Sequence, residues 1–223
     1  MRSATSLPGI TFDFAADIEA ESENRIYHQH ALSLDLNKTL PRADPAAALD
    51  VHIVLDETGS MQSMGNEPVE SVKAFIDIQR TGVPICISLT KFNLYMTTVY
   101  SSVPIADPVC DQLPYHPSSM TAAYDALRYV ILSATTPLSI VFITDGEDNS
   151  SGTTRQEIHA LIQRAKDCGW TFEFIGCNEE SMIESQRMGM PSSQPLDTPT
   201  NLPELMRGTS NTLAGMNRAR TNN

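Results

Sequence analysis

The sequence predicts an α/β domain, doubly wound, with a mostly parallel central sheet and helices on both faces. Three observations predict it. From Leu49 onward, apolar strand-like runs alternate with amphipathic helical stretches, the order expected of βα units. The runs "LDVHIVLD" and "LSIVFITDG" lack strict alternation, so each belongs to a strand buried on both faces. Both run into an aspartate, Asp56 and Asp145, and in a parallel sheet those two ends share the edge where such sheets bind ligands.

The elements follow in order. "LDVHIVLD" is the first strand of the domain. Asn66, Glu67 and Pro68 read as a cap and an early-turn proline, and Val69, Val72 and Ile76 give the next helix its apolar stripe. "VPICISLTKF" is a strand, joined to the strand "LYMTTVYSS" by a short turn near Asn93. Val103 to Ser119 is loop-like and rich in proline. "TAAYDALRYVIL" is a helix with Tyr124, Leu127 and Ile131 on one stripe, and "LSIVFITDG" is the next strand. Thr154 and Glu157 form a capping box for a helix with Ile158, Leu161, Ile162 and Ala165 on its buried side, and Gly169 ends it. The strand "WTFEFIGC", a short helix "EESMIESQRMGM", an edge strand "SQPLDT" and a final helix "NLPELMRGTSNTLAGMNRA" complete the domain.

Residues 1–47 stand apart as an arm, followed by a domain over 48–219 and a polar tail over 220–223. Within the arm, Leu32, Leu34 and Leu36 alternate with polar residues, which predicts one strand added to a sheet edge, in this chain or on a neighbour. "PRADPAAAL" reads as the linker to the domain, and the acidic stretch Asp17 to Glu23 as surface.

Composition narrows the function. The 223 residues carry a net charge of −12, which argues against a nucleic-acid partner and against an anionic membrane surface. No apolar run reaches the ~20 residues needed to span a bilayer, and the N-terminus lacks the apolar stretch of a secretory signal, so the expected location is the cytoplasm or a particle assembled there. The four cysteines, Cys86, Cys110, Cys168 and Cys177, form no CxxC pair and read as small buried hydrophobes. His28, His30 and His116 read as surface residues. The methionines of the last third, Met182, Met188, Met190, Met206 and Met216, read as gap fillers.

The chemistry gathers at the strand ends. Asp56 and Asp145, with Thr58 and Ser60 in the turn after the first strand, make a set of hard oxygen donors suited to Mg²⁺, Mn²⁺ or Ca²⁺. Here the sequence resembles the von Willebrand factor type A domain and its metal-ion-dependent adhesion site. Asp56-Glu57-Thr58-Gly59-Ser60 fits that site's D-x-S-x-S motif with threonine in the middle; Thr121 in "SSMTAAYDAL" fits its loop threonine; Thr144-Asp145-Gly146 fits its strand-closing "TDG". The resemblance spans Leu49 to the final helix and is nearest to intracellular bacterial and viral members, through "GWTFEFIGCN". It implies that one Mg²⁺, or Mn²⁺ or Ca²⁺, is bound by the Thr58 and Ser60 hydroxyls and by Thr121 directly or through water. Asp56 and Asp145 would hold coordinating waters. Glu57, Gly59, Gly146 and Glu147 are accessory candidates, with Glu57 adding negative charge near the site. Glu147, Asp148 and Asn149 otherwise form a solvated acidic loop.

The resemblance further implies a metal-dependent protein-binding module whose partner supplies an Asp or Glu to the cation. A structural subunit of a large assembly such as a virus particle, with residues 1–47 docked on neighbours, is the alternative. A metal-dependent hydrolase ranks below both: the sequence has no Gly-x-Ser-x-Gly elbow, no P-loop, no Cys/His nucleophile pair and no histidine near the strand ends to act as a base.

Overall fold

The computed structural model of the chain describes residues 25–176, 179–190 and 202–222. Among the described residues six strands form one sheet: β1 (Arg25–Tyr27), β2 (Asp50–Asp56), β3 (Cys86–Phe92), β4 (Tyr95–Pro104), β5 (Leu138–Thr144) and β6 (Thr171–Gly176). Their spatial order is β1-β4-β3-β2-β5-β6. β2, β3, β5 and β6 are parallel, while β4 and β1 add antiparallel strands at one side. The helices are α1 (Glu67–Gln79), α2 (Ala123–Ser133), α3 (Arg155–Asp167), α4 (Glu179–Arg187) and α5 (Leu202–Thr221).

The predicted fold class is observed. The central strands are apolar on both faces because each face has its own helical layer. On one face Val54, Phe92, Phe142 and Phe174 pack under α2 and α3. On the other, Ile53, Leu55, Leu89 and Val141 pack with Val72, Phe75 and Ile76 of α1 and with Leu213 of α5. The chain leaves β2 through α1 to β3 on one side and later returns through α2 to β5 on the other. The strand order therefore reverses at β2, so the carboxyl ends of β2 and β5 flank the switch point.

Local signals account for the joints. Asn93 makes the β3–β4 turn, its side chain accepting from the Tyr95 amide at 2.8 Å. The capping box at Thr154 and Glu157 is formed in both directions. Gly169 takes φ +84°, and a Cβ there would lie 2.9 Å from the Ala43 Cβ. Asn66 precedes α1 as expected, but its side chain makes no capping bond; a 3₁₀ helix, Gly59–Met64, leads into α1 instead. α5 runs through Thr221, into the segment read as a tail.

The arm departs from its predicted secondary structure. Its strand is Arg25–Tyr27, antiparallel on β4, and not Leu32 to Leu36. His28–Ser33 is a 3₁₀ helix, after which the chain runs without repetitive structure to β2. Its carbonyls are taken by side chains of the domain. Arg128 donates to Leu32 O at 3.0 Å and Leu34 O at 2.7 Å, and Trp170 Nε1 donates to Pro41 O at 2.8 Å. Arg164 donates to Leu36 O and Lys38 O. Ala31 and Leu40 are buried in the α2–α3 core. His28, expected at the surface, is buried with its Nδ1 2.6 Å from Asp125 Oδ2. Asp17 to Glu23, the edge strand "SQPLDT" and Cys177 lie outside the described residues.

Met182, Met188 and Met190 are buried, as gap fillers would be, whereas Met216 is exposed. Cys86, Cys110 and Cys168 are free thiols. Among the described residues no helix is long and apolar enough to cross a membrane.

Candidate metal centre

β2 ends on Asp56, whose side chain is wholly buried. One carboxylate oxygen accepts from the Thr58 amide at 2.7 Å, which folds the chain into a tight turn directly after the strand. The other accepts from Thr144 Oγ1 at 2.5 Å, which joins the end of β2 to the end of β5. The turn brings the Thr58 and Ser60 hydroxyls to 3.1 Å from each other. Ser60 Oγ then donates to Asp145 Oδ1 at 2.8 Å. Asp56, Thr58, Ser60 and Asp145 thus form one continuous hydrogen-bonded set.

Thr121 enters from the loop before α2. Ser119 O accepts from the Gly59 amide at 3.1 Å, tying that loop to the first turn. Thr121 N donates to Asn149 Oδ1 at 2.9 Å, and Thr121 O accepts from the amides of Asn149 and Ser150, both at 3.0 Å. The first motif and Asp145 are therefore bonded directly, whereas Thr121 is tied by its backbone to the loop after β5, and its neighbour Ser119 to the first turn.

The acidic loop after β5 is more structured than its composition suggests. Asp148 accepts from Tyr124 N at 3.3 Å and from Ser151 Oγ at 2.5 Å, so it serves the first turn of α2. Glu147 is exposed and pairs with Arg187 at 3.3 Å. Asp148 is thus not the solvated residue expected, whereas Asn149 is exposed, as expected, although its side chain accepts from the Thr121 amide. Gly59 has its Cβ position 3.4 Å from Ser119 O, a tight approach, whereas the Cβ position of Gly146 is open.

Glu57 turns out to be neutralised. Its Oε1 accepts from Lys91 Nζ at 2.9 Å and from the His116 amide at 2.6 Å, and both side chains are buried. The negative charge expected from Glu57 is thus balanced by the Lys91 ammonium. Sequence reasoning missed Lys91 because a single lysine in "SLTKF" carries no sign of a partner 34 positions away. It also missed the bond from Thr144 to Asp56, although Thr144 lies inside the quoted "TDG".

The electrostatics suit a cation. Burial pushes the Asp56 carboxyl up to about 6, and the neighbouring Asp145 charge adds to the rise, against hydrogen bonds from Thr144 and Thr58. A divalent cation would offset both effects. The donors are carboxylate and hydroxyl oxygens, which fit Mg²⁺ or Mn²⁺ and not a soft metal. Among the described residues no group of three or more His, Cys, Asp or Glu gathers anywhere, so the candidate centre has two carboxylates, Asp56 and Asp145, and otherwise hydroxyl oxygens. A separate cavity of about 200 Å³ lies toward the opposite end of the sheet, lined by His52, Ser88, Thr90, Thr98 and Tyr129, and contains none of the site residues. Burial pushes the His52 imidazole down to about 4, so it is neutral.

No family model and no curated protein matches the sequence. Solved structures do match. A von Willebrand factor type A structure from Catenulispora acidiphila superposes with a TM-score of 0.57 at 19% identity, over 76% of this chain and 43% of that one. The chain has the von Willebrand factor type A fold. Proximal thread matrix protein 1 of the mussel byssus, with a zinc-occupied MIDAS motif, superposes with a TM-score of 0.58 at 15% identity, over 76% of this chain and 48% of that one. The manganese-loaded TRAP protein of Plasmodium vivax gives 0.50 at 13% identity, over 82% and 76%. The chain spans less than half the length of the first two of these. In this von Willebrand type A fold, Asp56 and Asp145 close adjacent parallel strands at the switch point.

Proposed function

We propose that the chain is a metal-dependent protein-binding module, in which one divalent cation, Mg²⁺ or Mn²⁺, receives a carboxylate from an Asp or Glu of a partner protein. The observation that carries this reading is the bonded set of Asp56, Thr58, Ser60 and Asp145 at the switch point of the sheet. Thr58 and Ser60 offer neutral hydroxyl oxygens, and Thr121 a third. Asp56 and Asp145 supply negative charge and accept hydrogen bonds from coordinating water. A cation held mainly by neutral oxygens keeps net positive charge, and that charge attracts an acidic side chain.

The solved structures with zinc at a MIDAS motif and with manganese support the reading by fold. Catalysis is not part of the proposal.

The test is thermal melting with and without Mg²⁺, for wild type and for Thr58→Ala/Ser60→Ala, together with calorimetric titration of a Glu-containing peptide. The expected results are a rise in Tm for wild type only, and peptide binding that requires the metal. Equal Tm shifts in both proteins, or peptide binding that survives EDTA, would refute the proposal.

A further inference from the structure

Residues 112–122 have no repetitive secondary structure, yet they deliver Thr121 to the site. Their conformation must therefore be fixed by bonds from elsewhere. Those bonds converge on the turn that follows β2. Lys91 Nζ donates to Pro114 O at 2.6 Å. Tyr115 Oη donates to Asp56 O at 2.8 Å, and the His116 amide to Glu57 Oε1 at 2.6 Å. Gln62 Nε2 donates to Pro117 O at 3.0 Å, and the Ser118 amide to Glu57 O at 2.9 Å. Ser119 takes φ +72°, a left-handed conformation disfavoured outside glycine, and this places its carbonyl on the Gly59 amide.

Glu57 and Lys91 sit at the centre of this array, and their side chains are 5% and 0% exposed. A buried ion pair contributes little net stability, because desolvating two charges offsets their attraction. The pair also reaches the loop: Glu57 Oε1 accepts from both Lys91 Nζ and the His116 amide, and the ammonium donates to Pro114 O.

We infer that Glu57 and Lys91 form a buried clasp that fixes the 114–121 loop on the Asp56 turn and so positions Thr121 for the cation. Both are positioning residues, and the inference rests on the metal reading above. It separates from a simple charge effect by sign. If the pair acted only through charge, removing Lys91 would leave extra negative charge near the site and tighten metal binding. If it acts as a clasp, removing Lys91 frees the loop and weakens binding.

The experiment is Mn²⁺ affinity by electron paramagnetic resonance for wild type, Lys91→Met and the charge-neutral double variant Glu57→Leu/Lys91→Met. Amide hydrogen exchange at His116 and Ser118 is followed in the same proteins without metal. The expected result is affinity weakened roughly 10- to 100-fold in both variants, the usual range for groups that support metal ligands, with faster exchange at both amides. Should Lys91→Met fail to fold, the double variant carries the test. Tighter binding in Lys91→Met with wild-type affinity in the double variant overturns the clasp and leaves the metal reading intact. Unchanged affinity in both overturns the clasp likewise. A wild type that binds no Mn²⁺ overturns the metal reading and the inference with it.

Discussion

Asp56 is buried to the last atom, yet a cation needs it ionised. Without metal, burial and the Asp145 charge hold its carboxyl at about 6, above its unfolded value of 3.8. Below that value the apo site keeps a proton that an incoming cation must displace. Metal affinity should therefore rise with pH up to about 6 and level off above it. Calorimetric titration with Mg²⁺ across that range checks this, and a flat affinity would contradict it. Thr58→Ala or Ser60→Ala should leave the apo fold intact and remove the metal increment in stability, which for wild type is about 2.7 kcal/mol at a metal concentration of 100 Kd. The motif residues were legible because turn-forming Thr, Gly and Ser after a buried strand mark that turn by themselves. Lys91 and Thr144 were not, because their roles depend on contacts between distant strands.

The helices α1, α2 and α3 were legible from apolar spacing, and the α3 capping box from two residues. Thr154→Ala removes that cap and should lower stability by about 1 kcal/mol in denaturant unfolding. The arm was not legible in the same way. Alternation of Leu32, Leu34 and Leu36 imitates a strand, but their segment forms no ladder. Arg128 and Arg164 take the carbonyls that a neighbouring strand would otherwise bind. The strand that does form is three residues long, too short to leave a pattern. Residues 25–47 belong to the packing of the domain by these contacts. Leu40→Ala should therefore cost about 2–5 kcal/mol, the range for a buried leucine, and deletion of residues 1–47 should cost more than Leu40→Ala. Denaturant unfolding of both proteins measures this. A truncation as stable as the full chain would show that the arm's contacts contribute nothing.

Across the whole molecule, sheet layering follows from the apolar strands, and the order reversal at β2 places the candidate site at the switch point. The same sheet carries two groups that titrate against each other. His52 is held at about 4 from 6.5, so the unfolded chain binds its proton more readily and stability rises with pH through that window. Asp56 is held at about 6 from 3.8, so the folded chain binds its proton more readily and stability falls with pH through that window. In the apo protein the two slopes oppose each other between about pH 4 and 6. Saturating Mg²⁺ keeps Asp56 ionised and leaves the His52 slope, so stability should then rise with pH over that interval. Melting curves with EDTA and with Mg²⁺ check the contrast. The central claim, that Asp56, Thr58, Ser60, Thr121 and Asp145 hold one divalent cation, is tested most directly by anomalous diffraction from crystals soaked in Mn²⁺. The account predicts one anomalous peak within bonding distance of Thr58 Oγ1 and Ser60 Oγ. A map with no peak there, or with its strongest peak at other residues, would contradict it.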